Sequence, residues 1–241
     1  LYDAICAGVP TDSVQWGAGM TKVYDCLSHD FVYHDLSKMM IFPGNHDTDR
    51  IGDVVRQNPD RMKIVMTMMA TMRGFPQIFA GDEMMFVSKD KIQGHGGLRV
   101  DFPGGWNGDK ENWFTEEGRK AALTGTDGKP VPAGQVAELH DFTRKLFQWR
   151  KGKSVIHDGK TIHFLSRDNT YAYFRYNADE AVFVFINNSR GRKSIPWSHY
   201  AEIAEGLHDG KNVLTGEAVE VNDSTVVGPR KALVVEYKRK K

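Results

Sequence analysis

Only two cysteines, Cys6 and Cys26, occur in the 241 residues, too few for a disulfide framework and silent about compartment. No apolar run approaches the ~20 residues that span a bilayer, so no membrane segment is expected. Charge of one sign is not in excess either. The 32 Lys and Arg stand against 31 Asp and Glu, a formal net charge of +1, which gives no electrostatic case for nucleic acid as a partner. Low-complexity sequence is missing, and with 40% hydrophobic residues the chain lies outside the disordered class. The length suits one large domain or two ordinary ones with a real core. The chain also opens without an initiator Met, a signal peptide or a helix cap. Leu1 to Gly8 reads as starting inside a strand or just past one, and the whole is expected to be a fragment.

What is present falls into two patterns. Met20, Val23, Tyr24, Leu27 and Phe31 follow helical spacing with one buried face. The apolar run Met39–Phe42 predicts a strand buried on both faces. Asn58-Pro59 supplies an N-cap and a first-turn proline for a helix through Met62, Val65, Met69 and Met72, closed by Gly74. A second run, Phe75–Ala80, ends in Gly81-Asp82-Glu83. Helix, strand, helix, strand is the order of a parallel α/β fold, in which active groups collect at the carboxyl ends of strands.

From Met84 to about Pro132 the pattern lapses into a glycine-rich irregular stretch. Val136, Leu139, Phe142, Leu146 and Trp149 then restore a helix ending near Lys151-Gly152. Beyond it the period becomes two. Thr161–Ser166, Tyr171–Tyr176, Ala181–Ile186, Ala218–Val221 and Ala232–Tyr237 read as strands. Turn chemistry separates them at Asp168-Asn169, Asn187-Asn188, Asn222-Asp223 and Gly228-Pro229. The expected division is an α/β part at 1–152 and an all-β sandwich at 153–241, with Lys238–Lys241 as a solvated tail.

Asn45-His46-Asp47 directly follows the first buried strand. A carboxylate and an imidazole there are well placed to act on a ligand, while a plain turn, with Asn45 and Asp47 satisfying local backbone, explains the same residues. Gly44-Asn45-His46-Asp47 is also similar to the metal-binding motif of metallophosphoesterases. That chemistry needs further ligands, and His95, His140, His157 and His163 are scattered without ligand spacing. No metal and no cofactor are read from the sequence. Asp82, Asp101 and Asp109 lack the alternating oxygen pattern of a calcium loop.

Four segments in order carry a more extensive resemblance. Phe42–Arg50 resembles the fourth conserved region of the α-amylase superfamily, at the seventh barrel strand. Arg73–Glu83 resembles that superfamily's eighth strand. Arg99–Asp109 looks like the loop of the neopullulanase and cyclomaltodextrinase branch, particularly its Bacteroides-type members. Phe147–Lys151 resembles that branch's eighth barrel helix, and the β unit fits its C-terminal domain.

The resemblance implies the last β/α units of a TIM (β/α)8 barrel followed by a C-terminal antiparallel β-sandwich. It also implies retaining hydrolysis of α-1,4-glucosidic bonds in starch-derived oligosaccharides, cyclodextrins or pullulan. Asp47 matches the carboxylate that stabilises the transition state. His46 would hydrogen-bond the same sugar, and Arg99 would contact the next glucose. Arg50 is either a further substrate contact or the partner of a neighbouring acid. The nucleophilic Asp and acidic Glu belong to the fourth and fifth strands and do not match any residue here, so the chain alone is expected to be inactive. Its partners would be an α-glucan oligosaccharide, the missing N-terminal part of the barrel, and through uncovered strands a second copy of itself. By family analogy the location would be periplasmic or secreted.

Smaller features carry expectations too. The methionines between Met62 and Met72 read as packing, and Gly81-Asp82-Glu83 as a loop brace. Trp106 and Trp113 are either saccharide platforms or loop anchors. A non-catalytic carbohydrate-binding or scaffold protein is the second reading, and it needs Tyr171, Tyr173 or Trp197 at the surface of the sandwich.

Overall fold

The computed structural model describes residues 1–88, 95–99, 101–102, 104, 106–108, 112, 114–117, 132–222 and 224–240. Its first element is a helix, α1 (Tyr2–Gly8), rather than the inside of a strand. A lone extended segment needs a neighbour for its N–H and C=O groups. Here Ile5 and Val9 donate to the carbonyls of Leu1 and Ile5 at 3.0 and 2.9 Å, within the segment itself. Helix α2 (Thr21–Ser28) buries Val23 and Leu27 as its spacing predicts. Phe31 does not join them and is 82% exposed. A 3₁₀ turn over Asp30–Val32 breaks the 3.6-residue period, so Phe31 no longer shares the buried face.

Strands β1 (Met40–Ile41) and β2 (Phe75–Pro76) lie parallel, Met40 opposite Phe75 and Ile41 opposite Pro76. Both are shorter than the apolar runs that announce them. The pair is also not buried on both faces: Ile41 is covered, but Met40 and Phe75 are 48% and 50% exposed. Gly74 adopts a positive φ of 87°, and a Cβ there would sit 2.3 Å from the Met39 carbonyl, so only glycine lets the two strands meet.

Between the strands run α3 (Ile51–Val54) and α4 (Pro59–Thr71). The Asn58 side chain caps α4 by accepting from the Arg61 N–H at 3.0 Å, with Pro59 in the first turn. From Arg61 to Thr71 every residue but Lys63 is buried, the pattern of a helix enclosed on all sides. Fully burying each Met or Val in that row contributes roughly 1.5–3 kcal/mol. The far end of α4 is closed from another element. Arg150, on α6 (Ala133–Lys151), donates to the carbonyls of Ala70 at 2.9 Å and Gly74 at 2.8 Å. A cation thereby satisfies orphan groups at a helix C-terminus. A short helix, α5 (His95–Leu98), lies in the irregular stretch, and α7 (Ser154–His157) follows α6.

The second half is a five-stranded antiparallel sheet in the order β3 (Lys160–Arg167), β4 (Thr170–Tyr176), β5 (Glu180–Asn187), β9 (Lys231–Arg239), β7 (Leu207–Asn212). Two of its strands differ from the sequence reading. The expected strand at Ala218–Val221 is reduced to a single bridge, Ala218 to Lys211, and β7 takes its place beside β9. The supposed tail enters β9 as far as Arg239. A small second sheet, β6 (Lys193–Ser194) with β8 (Val226–Val227), and helix α8 (Ala201–Ala204) complete the unit.

Alternation along the central strands divides two cores. Tyr171, Tyr173, Val182, Val184, Ile186 and Val234 face α4 and join its core, whereas Phe174, Phe183, Phe185, Val235 and Tyr237 face Trp197, Tyr200 and β8. Tyr171, Tyr173 and Trp197 are only 1%, 1% and 5% exposed. Their proposed role as surface platforms for sugar is therefore corrected: both faces of the sheet are covered, and these rings are core. The Tyr173 hydroxyl shares a 2.5 Å hydrogen bond with Thr71 on α4. Asn169 and Asn188, both buried, reach from the sheet to the Thr11 carbonyl at 3.0 and 3.1 Å. The two halves are thus bonded as well as packed.

Candidate functional site

The carboxyl end of β1 turns outward through Phe42-Pro43-Gly44 into Asn45-His46-Asp47. The Asn45 side chain accepts from the Asp47 N–H at 2.9 Å, and the Asn45 N–H donates to Thr48 Oγ1 at 2.8 Å. These local bonds are those of an Asx turn. They hold the His46 and Asp47 side chains in solvent, 58% and 56% exposed, with His46 Nε2 3.3 Å from Asp47 Oδ2.

Arg99, just after α5, closes over this turn. Its Nε donates to the His46 carbonyl at 2.9 Å and its terminal nitrogen contacts the Asp47 carboxylate. Sequence reasoning expects Arg99 to meet a second sugar; here it rests on Asp47. His95, one turn earlier, brings Nδ1 to 3.9 Å from Asp47 Oδ1. No spacing rule pointed to His95, since 48 residues separate it from Asp47. The result is one carboxylate ringed by two imidazoles and a guanidinium, all open to a ligand.

Arg50 does something different. It is 1% exposed, so substrate contact is ruled out by burial, and the expectation is corrected in favour of pairing with a neighbouring acid. Its NH1 lies 3.1 Å from Asp82 Oδ1 and donates to the Ala80 carbonyl at 2.7 Å. Its guanidinium stacks 3.7 Å from the Phe79 ring centroid. Its Nε donates to the Leu98 carbonyl at 3.2 Å. That last bond ties down the segment from which Arg99 reaches Asp47, which makes Arg50 a positioning residue.

Asp82 is fully buried, and burial pushes its carboxyl up to about 7 against the opposing pull of Arg50. Burial correspondingly pulls Arg50 down. Glu83 accepts from the Gly81 N–H at 2.9 Å, so Gly81-Asp82-Glu83 acts as a brace. Asp101 and Trp106 are exposed, Trp106 by 74%, while Asp109 and Trp113 lie outside the described residues.

The chain matches two families. The model described as "Alpha amylase, catalytic domain" matches residues 14–194, and that described as "Cyclo-malto-dextrinase C-terminal domain" matches residues 161–236. Among solved structures, the chain is similar to an α-amylase from Geobacillus thermoleovorans complexed with acarbose, at 18% identity and a TM-score of 0.66, covering 100% of this chain and 47% of that one. It is similar to a variant of AmyP in complex with maltotriose, at 12% identity and a TM-score of 0.69, covering 100% and 49%. It is also similar to the trehalulose synthase of Pseudomonas mesoacidophila, at 17% identity and a TM-score of 0.66, covering 93% and 48%.

The chain therefore spans about half the length of these structures. Its fold is that of the last β/α units of a (β/α)8 barrel followed by an antiparallel β-sandwich. An amylase-type model spans Asn45-His46-Asp47, and it takes the place of the metallophosphoesterase reading.

Proposed function

The chain belongs to the α-amylase catalytic-domain family, and from that premise we propose that it forms the closing part of a retaining α-glucan hydrolase of the neopullulanase and cyclomaltodextrinase branch. One observation carries the reading: Asp47 stands exposed at the carboxyl end of a parallel strand, with His46, His95 and Arg99 around it. The cyclomaltodextrinase-type match over residues 161–236 supports the branch. Acarbose and maltotriose, bound in two of the similar structures, support an α-glucan oligosaccharide as ligand.

Retaining hydrolysis uses a nucleophile and a general acid about 5–5.5 Å apart around an oxocarbenium-like transition state. In the proposed site both come from an upstream barrel segment. Asp47 contributes hydrogen bonds to ring hydroxyls that tighten as positive charge develops on the sugar, and such differential binding raises rate. The imidazoles of His46 and His95 add hydrogen bonds to the same saccharide, while Arg99 fixes the orientation of the carboxylate. The uncovered face at Met40 and Phe75 supports docking of that upstream segment on β1 and β2.

The test is turnover of maltoheptaose by the purified 241-residue chain. No release of reducing sugar above background is expected, because one carboxylate of three is present. Robust turnover would refute the division of roles.

A further inference from the structure

Away from Asp47, an open cleft of about 610 Å³ lies where the N-terminal segment, the turn before α4 and two loops of the β unit meet. Four arginines line it: Arg56, Arg61, Arg190 and Arg230. One carboxylate, Asp12, lines it with them. Arg230 NH2 reaches both Asp12 oxygens at 3.0 and 2.9 Å, Arg61 reaches one at 3.0 Å, and Arg190 the other at 2.8 Å. Four positive charges less one negative leave the lining residues with an excess of three.

A clamp joining the two halves would be complete with fewer groups. Arg230 and Arg61 already occupy Asp12 from the β unit and from α4. Arg190 is a third hold on Asp12 from a side chain that stays 77% exposed, and Arg56 forms no ion pair with the described residues, so the two add charge beyond what the clamp needs. Arg61 is 9% exposed, and its Nε is buried with no partner among the described residues. The cleft also includes Asn58, the N-cap of α4, so the positive end of a 13-residue helix dipole adds to the same field. Asp12 offsets only one of the four charges, and the like charges that remain repel unless a further anion joins them. Guanidinium forks match phosphoryl oxygens in pairs and stay charged at any physiological pH.

We propose that this cleft binds a phosphoryl dianion, either free phosphate or a phosphate ester, at a site separate from the Asp47 rim. Asp12 is the built-in competitor for the arginines. Burial raises its carboxyl, but the hydrogen bonds of Arg190 and Arg230 and the charge of Arg61 outweigh burial and hold it below the ordinary value.

The experiment is calorimetric titration of the full 241-residue chain with inorganic phosphate and, separately, with glucose 1-phosphate, at ionic strength held constant with sodium chloride. Saturable binding with a raised thermal midpoint is expected. Joint Arg56→Gln and Arg190→Gln changes, both on exposed side chains, should weaken it at least about tenfold, each lost charge-assisted contact being worth a comparable factor. Asp12→Asn should strengthen it if the fold is kept. Tighter binding of the ester would identify an ester as the ligand, and tighter binding of inorganic phosphate would identify the free ion. No saturable heat beyond the chloride control, or unchanged binding in the double variant, would overturn the proposal.

Discussion

At the scale of single residues, Asp47 and Arg50 show how three positions apart can mean opposite fates. Asp47 follows a turn closed by its own neighbours and is left in solvent; Arg50 enters α3 and is swallowed by Phe79, Phe86 and Asp82. Removing one member of a buried ion pair leaves the other charge uncompensated. Arg50→Ala is therefore expected to cost about 3–5 kcal/mol in urea unfolding. Arg50→Met combined with Asp82→Leu should recover part of that loss, and an equal loss in the double variant would contradict the pairing. His46, Asp47 and Arg99 could be picked out from the sequence because they lie within or beside recognisable motifs. His95 could not, because it belongs to no motif and only the folded chain brings it to Asp47. The two readings of Arg50 could be separated only by burial, which a motif does not encode.

At the scale of elements, legibility tracked how much of each element's stability is local. Helix α4 carries its cap, its proline and its apolar row in consecutive residues, and it formed where those signals place it. Strand β7 carries none of this. Leu207–Asn212 is polar and contains Gly210, a composition that argues against a strand. The register with β9 explains the glycine. A Cβ at Gly210 would lie 1.9 Å from the Val219 carbonyl oxygen and 2.3 Å from the Tyr237 ring. Gly210→Ala is thus expected to destabilise the β unit by about 1–3 kcal/mol, as overpacking does. Thermal unfolding would check this, and an unchanged midpoint would mean that β7 does not pack against Tyr237 as described. Helix α1 shows the converse: its apolar residues suit a strand as well as a helix, and the segment satisfies its own backbone groups, Ile5 to Leu1 and Val9 to Ile5.

At the scale of the molecule, the two halves are joined by the faces of one sheet, by Asn169 and Asn188, and by the arginines on Asp12. Asp12 has a lower carboxyl value folded than unfolded, so its contribution to stability is present above the ordinary value of 3.8 and is lost as pH falls through the lower folded one. As pH falls from that ordinary value through the folded one, wild-type chain should therefore lose stability more steeply than Asp12→Asn, as followed by circular dichroism. The half-exposed Met40 and Phe75 on β1 and β2 are expected to drive self-association. Light scattering should give a mass above 27.2 kDa, and a clean monomer would count against it. The central claim is that this rim presents Asp47 to an α-glucan. Its most direct test is titration of the isotopically labelled chain with maltotriose, followed by nuclear magnetic resonance. Shifts should concentrate at His46, Asp47, His95 and Arg99 and vanish in Asp47→Ala; shifts elsewhere, or shifts that persist in that variant, would contradict the account.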